Sequence, residues 1–317
     1  MSTFAWRNAR LQQTSYTVQC GEYQLGLRRC HANTGATPEA PPILMVAGFN
    51  HGSEVFWPQQ AEAGLAPYLA DQGFDVFVAE LRGKGASWPE VSRHSKWGLH
   101  ELITQDIPAH LRKIAKLRPG APQFWIGHGL GSLLLSACYS RLDLLPAPVL
   151  GFAHFAPQRR CEFSSMLKTL RYMQWQGGLG LCSLLYGRSG LPGKPVESRD
   201  VSHQWQQWLT QPQWLDSTDN TDYVRLLRAR GLPPSLYFAV QGNALWGGVD
   251  DARLWMKELG RHDARLIGLG KAVGNLRNYN ATSMLTHVDA CEDHFVQLHH
   301  WLTEQKQAFE GHYSRRA

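Results

Sequence analysis

Gly127-His128-Gly129-Leu130-Gly131 lies in FWIGHGLGSLLLSACYS (Phe124–Ser140), after a short apolar run and before a helix-forming stretch. The spacing is that of a G-x-S-x-G turn, where a strand bends sharply into a helix and a serine at the bend offers its hydroxyl as nucleophile. Here the central residue is Gly129. Holding a residue with a side chain at the positive φ of such a bend costs on the order of 1–3 kcal/mol, tolerated where the strain has a use. Glycine removes the strain and the nucleophile together. Acyl-transfer chemistry also needs a base and a carboxylate that orients it. LTHVDACEDHFVQLHHWL (Leu285–Leu302) sets His287 just ahead of a helix-forming stretch. Asp289, two residues on, is placed to cap the final helix.

The surrounding pattern supplies elements to position these residues. Alternating apolar runs at Ser15–Cys20 and Tyr23–Cys30 predict two strands joined at Gly21. Ile43–Phe49 and Phe74–Glu80 are continuously apolar, as suits strands covered on both faces. A helix is expected from Phe56 to Leu69, and another over Leu99–Leu117 with Pro108 as a local irregularity. Strands at Gln123–Gly127 and Pro148–His154 flank the helix from Leu130. After Gln158 the alternation stops. One amphipathic helix is expected on Phe163, Met166, Leu167, Leu170 and Met173, and LLYGRSGLPGKP (Leu184–Pro195) suggests a hinge or a static loop. Strand and helix alternate again from Ser235, ending in a helix over about Asp289–Phe309. The fold class is α/β, a doubly wound and mostly parallel sheet with an inserted helical cap. Residues 1–157 and 233–317 form the two parts of the core, and 158–232 the cap.

Five segments in this order resemble the α/β-hydrolase superfamily, in particular its lipase- and esterase-like members, over roughly residues 41 to 302. They are the GHGLG turn, AGFNHGSEVFW (Ala47–Trp57) at the oxyanion loop, ELRGKGAS (Glu80–Ser87), QDIPAHL (Gln105–Leu111) and the His287 loop. The resemblance implies oxyanion donors at the amides of Phe49 and Leu130, and the triad histidine at His287. It puts Ala244 at the acid position in VQGNALWGGVDDARLW (Val240–Trp255), with Asp250 and Asp251 in the next helix's first turn. The alternative acid position, in FAHFAPQRR (Phe152–Arg160), holds no carboxylate. Nucleophile and acid are therefore both vacant, at independent places. Asn50, His51, His128 and Trp175 are the further pocket candidates.

Ser132 and Cys138 lie too far into the helix to replace the missing hydroxyl. His51, His128 and His287 show no ligand spacing, so no metal is expected, and RGKG lacks phosphate-loop spacing, so no cofactor is. The chain of 317 residues carries +6 net charge without a dense basic run. That reads as a solvated surface rather than a nucleic-acid groove, and leaves open an affinity for anionic ligands or lipid headgroups. Six scattered cysteines, no secretory leader and no apolar run of membrane-spanning length suggest a cytoplasmic protein. In the insert, Trp175, Trp205, Trp208 and Trp214 either pack it down or line an apolar pocket for an acyl chain, aromatic ester or amphipathic lipid. Three readings follow: a catalytically retired hydrolase fold binding such a ligand or a protein partner; a weak esterase in which His287 activates a water; and a non-catalytic structural subunit.

Overall fold

The computed structural model describes residues 11–313 apart from 36–37, 59–63, 162, 164, 192–194 and 243. The apolar runs form one eight-stranded sheet: β1 (Leu11–Cys20), β2 (Tyr23–Ala32), β3 (Pro42–Val46), β4 (Asp75–Ala79), β5 (Gln123–His128), β6 (Val149–Phe155), β7 (Ser235–Val240) and β8 (Ala264–Leu269). Their order is β1-β2-β4-β3-β5-β6-β7-β8. β1 and β2 form an antiparallel hairpin that joins β4 antiparallel, and the remaining pairs are parallel. Every residue of β3, β4, β5 and β7 is buried, as continuous apolar runs covered on both faces require. Alternate side chains feed two cores: Trp125, Phe152 and Tyr237 on one face, Phe124, Ile126 and Phe238 on the other. The strand order reverses between β3 and β5, so the crevice beyond their carboxyl ends is where the topology favours a site.

The helices cover those faces. α1 (Leu65–Asp71) is shorter than the helix expected over Phe56–Leu69: Phe56–Pro58 are not helical, Gly64 is extended and caps the helix, and residues 59–63 of that expectation lie outside the described residues. α2 (Ile107–Leu117) is entered through a helical turn at Leu99–Glu101 and a π-helical turn at Leu102–Asp106. Pro108 supplies no amide, and the ladder widens just before it. The turn presents Asp106, wholly buried, to Arg82, whose backbone N, Nε and Nη2 donate to it at 2.8, 2.9 and 2.5 Å. α3 (Leu130–Ser140) follows β5 directly.

Between β6 and β7 run α4 (Met166–Tyr186), α5 (Arg199–Thr210) and α6 (Tyr223–Arg230). Ser165, Ser198 and Asp222 cap them, each accepting from a backbone amide three residues on. α4 departs from expectation twice. It runs through Gly177, Gly178 and Gly180 and takes Leu184–Tyr186 as its last turn, ending at left-handed Gly187 (φ 67°). The apolar residues that suggested it, Phe163, Met166, Leu167, Leu170 and Met173, are exposed, and Lys168, Tyr172 and Leu179 face inward. The reason is that Lys168 pairs with buried Asp251, at 2.8 and 3.0 Å, where α7 (Val249–Leu259) begins. α8 (His294–Tyr313) closes the chain after a 3-10 turn at Val288–Cys291.

Candidate functional site

At the β5–α3 bend Gly129 has φ 50° and ψ −118°, and its amide donates to the Phe155 carbonyl of β6 at 2.8 Å. A Cβ on Gly127 would lie 2.4 Å from Ser132 Cα, and one on Gly131 2.1 Å from the Val46 carbonyl oxygen. The flanking glycines are thus demanded by close packing of strand and helix. At Gly129 the nearest atom to an added Cβ is Gly48 Cα, 3.9 Å away. The central position has room for a side chain and carries none.

The loop after β3 faces this bend. The amides of Phe49 and Leu130 have no protein acceptor among the described residues, Leu130 because it heads α3, where amides lack intrahelical partners. Asn50 takes a positive φ of 53°. Its amide donates to Glu197 Oε1 at 3.2 Å, and its side-chain oxygen accepts from Ser189. Lys84 Nζ donates to the Gly48 carbonyl at 2.9 Å and pairs with Glu197 at 2.6 Å, both side chains almost wholly buried. One carboxylate from the segment between α4 and α5 therefore fastens the β3 loop.

Bend and loop enclose a cavity of about 220 Å³. Phe49, Trp175, Trp205 and Trp246 wall it, with Trp175 centroids 4.7 Å from Trp246 and 5.5 Å from Trp205, and Phe49 4.2 Å from Trp205. His51 and His128 meet edge to face at 4.9 Å. His51 Nδ1 donates to the Phe49 carbonyl at 2.8 Å, leaving Nε2 to accept from Thr282 Oγ1 at 3.3 Å. His128 Nε2 donates to the Ala281 carbonyl at 2.9 Å. Burial lowers the pKa of both, that of His128 to about 3, so both rings are neutral at pH 7.

Of the residues singled out in the sequence, the structure gathers Gly129, Phe49, Leu130, Asn50, His51, His128 and Trp175 around this cavity. His287 and Ala244 are not among its walls. His287 caps the 3-10 turn, its Nδ1 accepting from the Asp289 amide at 3.2 Å while Nε2 lies against Arg277. Asp289 Oδ2 is 3.5 Å from the same Nδ1, so a carboxylate stands near the ring, but a guanidinium occupies its other side. The cause is the loop after β8: Asp293 holds it down by accepting from Asn275 Nδ2, the Leu276 amide and Tyr279 OH. Ala281 and Thr282, rather than His287, then face the elbow. Ala244 opens instead onto a separate cleft beside Lys168 and Asp251.

Ser132 is fully buried, and its hydroxyl has no partner among the described residues. His51 and His128 meet at the cavity, but His287 is not among its walls. Among the described residues, the His, Asp, Glu and Cys group close enough to share an ion is His100, Asp216 and Asp219, and Arg141 lies across it at 2.9 Å from both aspartates. Sequence reasoning missed Trp246, Gln158, Ala281 and Thr282. Trp246 stood within the quoted acid loop, and the concentration of tryptophan nearby was the signal for it.

Residues 41–177 match the family model for the α/β hydrolase fold. Lipase lipl-3 of Caenorhabditis elegans is 28% identical over 131 residues, 38% of this chain and 32% of that protein. Triacylglycerol lipase 2 of Arabidopsis thaliana is 30% identical over 123 residues, 37% of this chain and 29% of that protein. The matched segment spans about a third of these relatives' length. Among solved structures, a soluble variant of monoglyceride lipase from Saccharomyces cerevisiae superposes with a TM-score of 0.67 at 13% identity, covering 92% of this chain and 94% of that one. A haloalkane dehalogenase from Bradyrhizobium elkani gives 0.61 at 16% identity, covering 94% and 99%. With the sheet order, the glycine-framed elbow and the facing amides of Phe49 and Leu130, these likenesses agree: the chain has the α/β-hydrolase fold, and its residues 41–177 carry the match to that family.

Proposed function

We propose that this chain binds a small apolar ligand, acyl or aromatic, in the cavity beside Gly129 and does not turn it over by serine-hydrolase chemistry. One observation carries the reading: the elbow presents a bare backbone to an aromatic-walled cavity, while the oxyanion-type amides persist. Those amides suit a carbonyl or carboxylate oxygen, and the tryptophans suit the apolar remainder. About 220 Å³ is the room of roughly seven liquid waters at about 30 Å³ each, enough for a ring or a short acyl chain. That volume argues against a purely structural subunit with its cavity filled. The names of the lipase relatives favour an acyl-type ligand. Residues 158–232 act as the lid over this ligand, and Gln158, Trp175 and Trp205 are their contribution to its walls.

The test is direct. The purified chain should take no label from a fluorophosphonate probe and give no turnover of p-nitrophenyl butyrate, yet show saturable tryptophan quenching by p-nitrobenzoate. Gly129→Phe, which fills the cavity, should abolish the quenching. Ester turnover that His287→Ala removes would overturn the reading. Because His287 is turned to Arg277 and Ala244 opens elsewhere, Gly129→Ser combined with Ala244→Asp should remain inactive. Gain of hydrolysis by that double variant would mean that the His287 loop swings onto the elbow in solution.

A further inference from the structure

The outward face of α4 is more apolar than its inward one. Met166 and Leu184, near its two ends, are 89% and 82% exposed, and Leu170, Met173 and Leu181 between them are each more than half exposed. Their spacing aligns them in one stripe along the helix. A Cβ on Gly177 or Gly180 would meet nothing within 4 Å, so the stripe is uncovered at mid-length as well. An exposed apolar strip of this length marks an interaction surface.

Charge identifies the occupant. From Phe163 to Val196 the chain has four basic residues, Lys168, Arg171, Arg188 and Lys194, and no Asp or Glu. Lys168 is taken by Asp251, but Arg171 is exposed on the helix, and Arg93 lies at its carboxyl end with Nη2 3.5 Å from the Leu185 carbonyl. A second copy packed stripe to stripe would set Arg171 and Arg93 near their own counterparts, whereas an anionic lipid surface supplies the complement. No helix among the described residues is long and apolar enough to cross a membrane. We propose that α4 lies flat on a membrane surface containing anionic lipid, its leucine and methionine stripe in the headgroup–acyl boundary and Arg171 and Arg93 at the headgroups. The proposal stands on this face alone and does not depend on the ligand reading.

The test is sedimentation of the full chain with vesicles of phosphatidylcholine, with or without roughly a third phosphatidylglycerol. The chain should pellet with the anionic vesicles and less so as salt rises. Leu170→Glu with Leu181→Glu, both at exposed positions and checked by an unchanged circular dichroism spectrum, should weaken binding at least about tenfold. Arg171→Gln should weaken it about fivefold. No pelleting with either vesicle, or a double variant that binds like the parent, overturns the proposal. So does a dimer by light scattering that the double variant dissociates, which would assign the face to a second copy.

Discussion

A methyl group added at Gly131 would meet a backbone carbonyl oxygen 2.1 Å away, and one added at Gly129 would meet nothing closer than 3.9 Å. The two glycines therefore have different physical reasons. Gly131→Ala forces β3 and α3 apart, whereas Gly129→Ala costs only the backbone strain of φ 50°, about 1–2 kcal/mol. Urea unfolding should rank the two in that order, and equal losses would mean that the bend rearranges around either substitution. The end of β5 was legible in the sequence, expected at Gly127 and found at His128, whereas the apolar run continuing to Phe49 hid that β3 stops at Val46 and that Phe49 and Asn50 belong to the loop after it. Local pattern places a strand, and its neighbours in the sheet decide where its pairing ends. His287 was legible only as a motif. Its orientation depends on Asp293 holding a loop more than ten residues away in sequence, and nothing in THVD encodes that.

At the scale of elements, strand positions followed from apolar runs because burial on both faces leaves little freedom in composition. The helices of the insert were harder. α4 hides a lysine and shows leucines, the reverse of the usual rule, because a buried carboxylate on α7 fixes which face turns inward. A similar buried pair, Lys84 with Glu197, couples the segment ahead of α5 to the β3 loop. Removing one partner of such a pair leaves an uncompensated buried charge, at a cost of about 3–5 kcal/mol. Glu197→Ala should show that loss in denaturant unfolding. Because Glu197 also accepts from the Asn50 amide, hydrogen exchange at Asn50 should accelerate beyond the change at β7 amides. Uniform acceleration would mean that Glu197 matters to global stability and not to the loop.

Over the whole molecule, the two cores and the cavity together bury histidines that cannot afford charge. Burial lowers the pKa of His128 and His154 to about 3 and of His110 and His294 to about 4. Each is neutral when folded and near 6.5 when unfolded, so below pH 6.5 the unfolded chain binds protons that the native one refuses. Stability from these groups is full above pH 6.5 and falls as pH drops toward their folded values. His154 isolates one such contribution. Its ring packs against Phe152, Tyr237 and Trp255 at 5.4, 4.8 and 5.0 Å, and neither ring nitrogen has a partner among the described residues. Phenylalanine fits that surrounding and takes no proton in either state. Relative to the parent, His154→Phe should therefore gain about 2 kcal/mol between pH 7 and pH 5, by integrating one unfolded-state proton. Urea unfolding at both pH values measures it. A variant whose stability falls with acid as steeply as the parent's would mean that His154 already carries its proton in the native fold, and that the aromatic core around it is wetter than its packing implies.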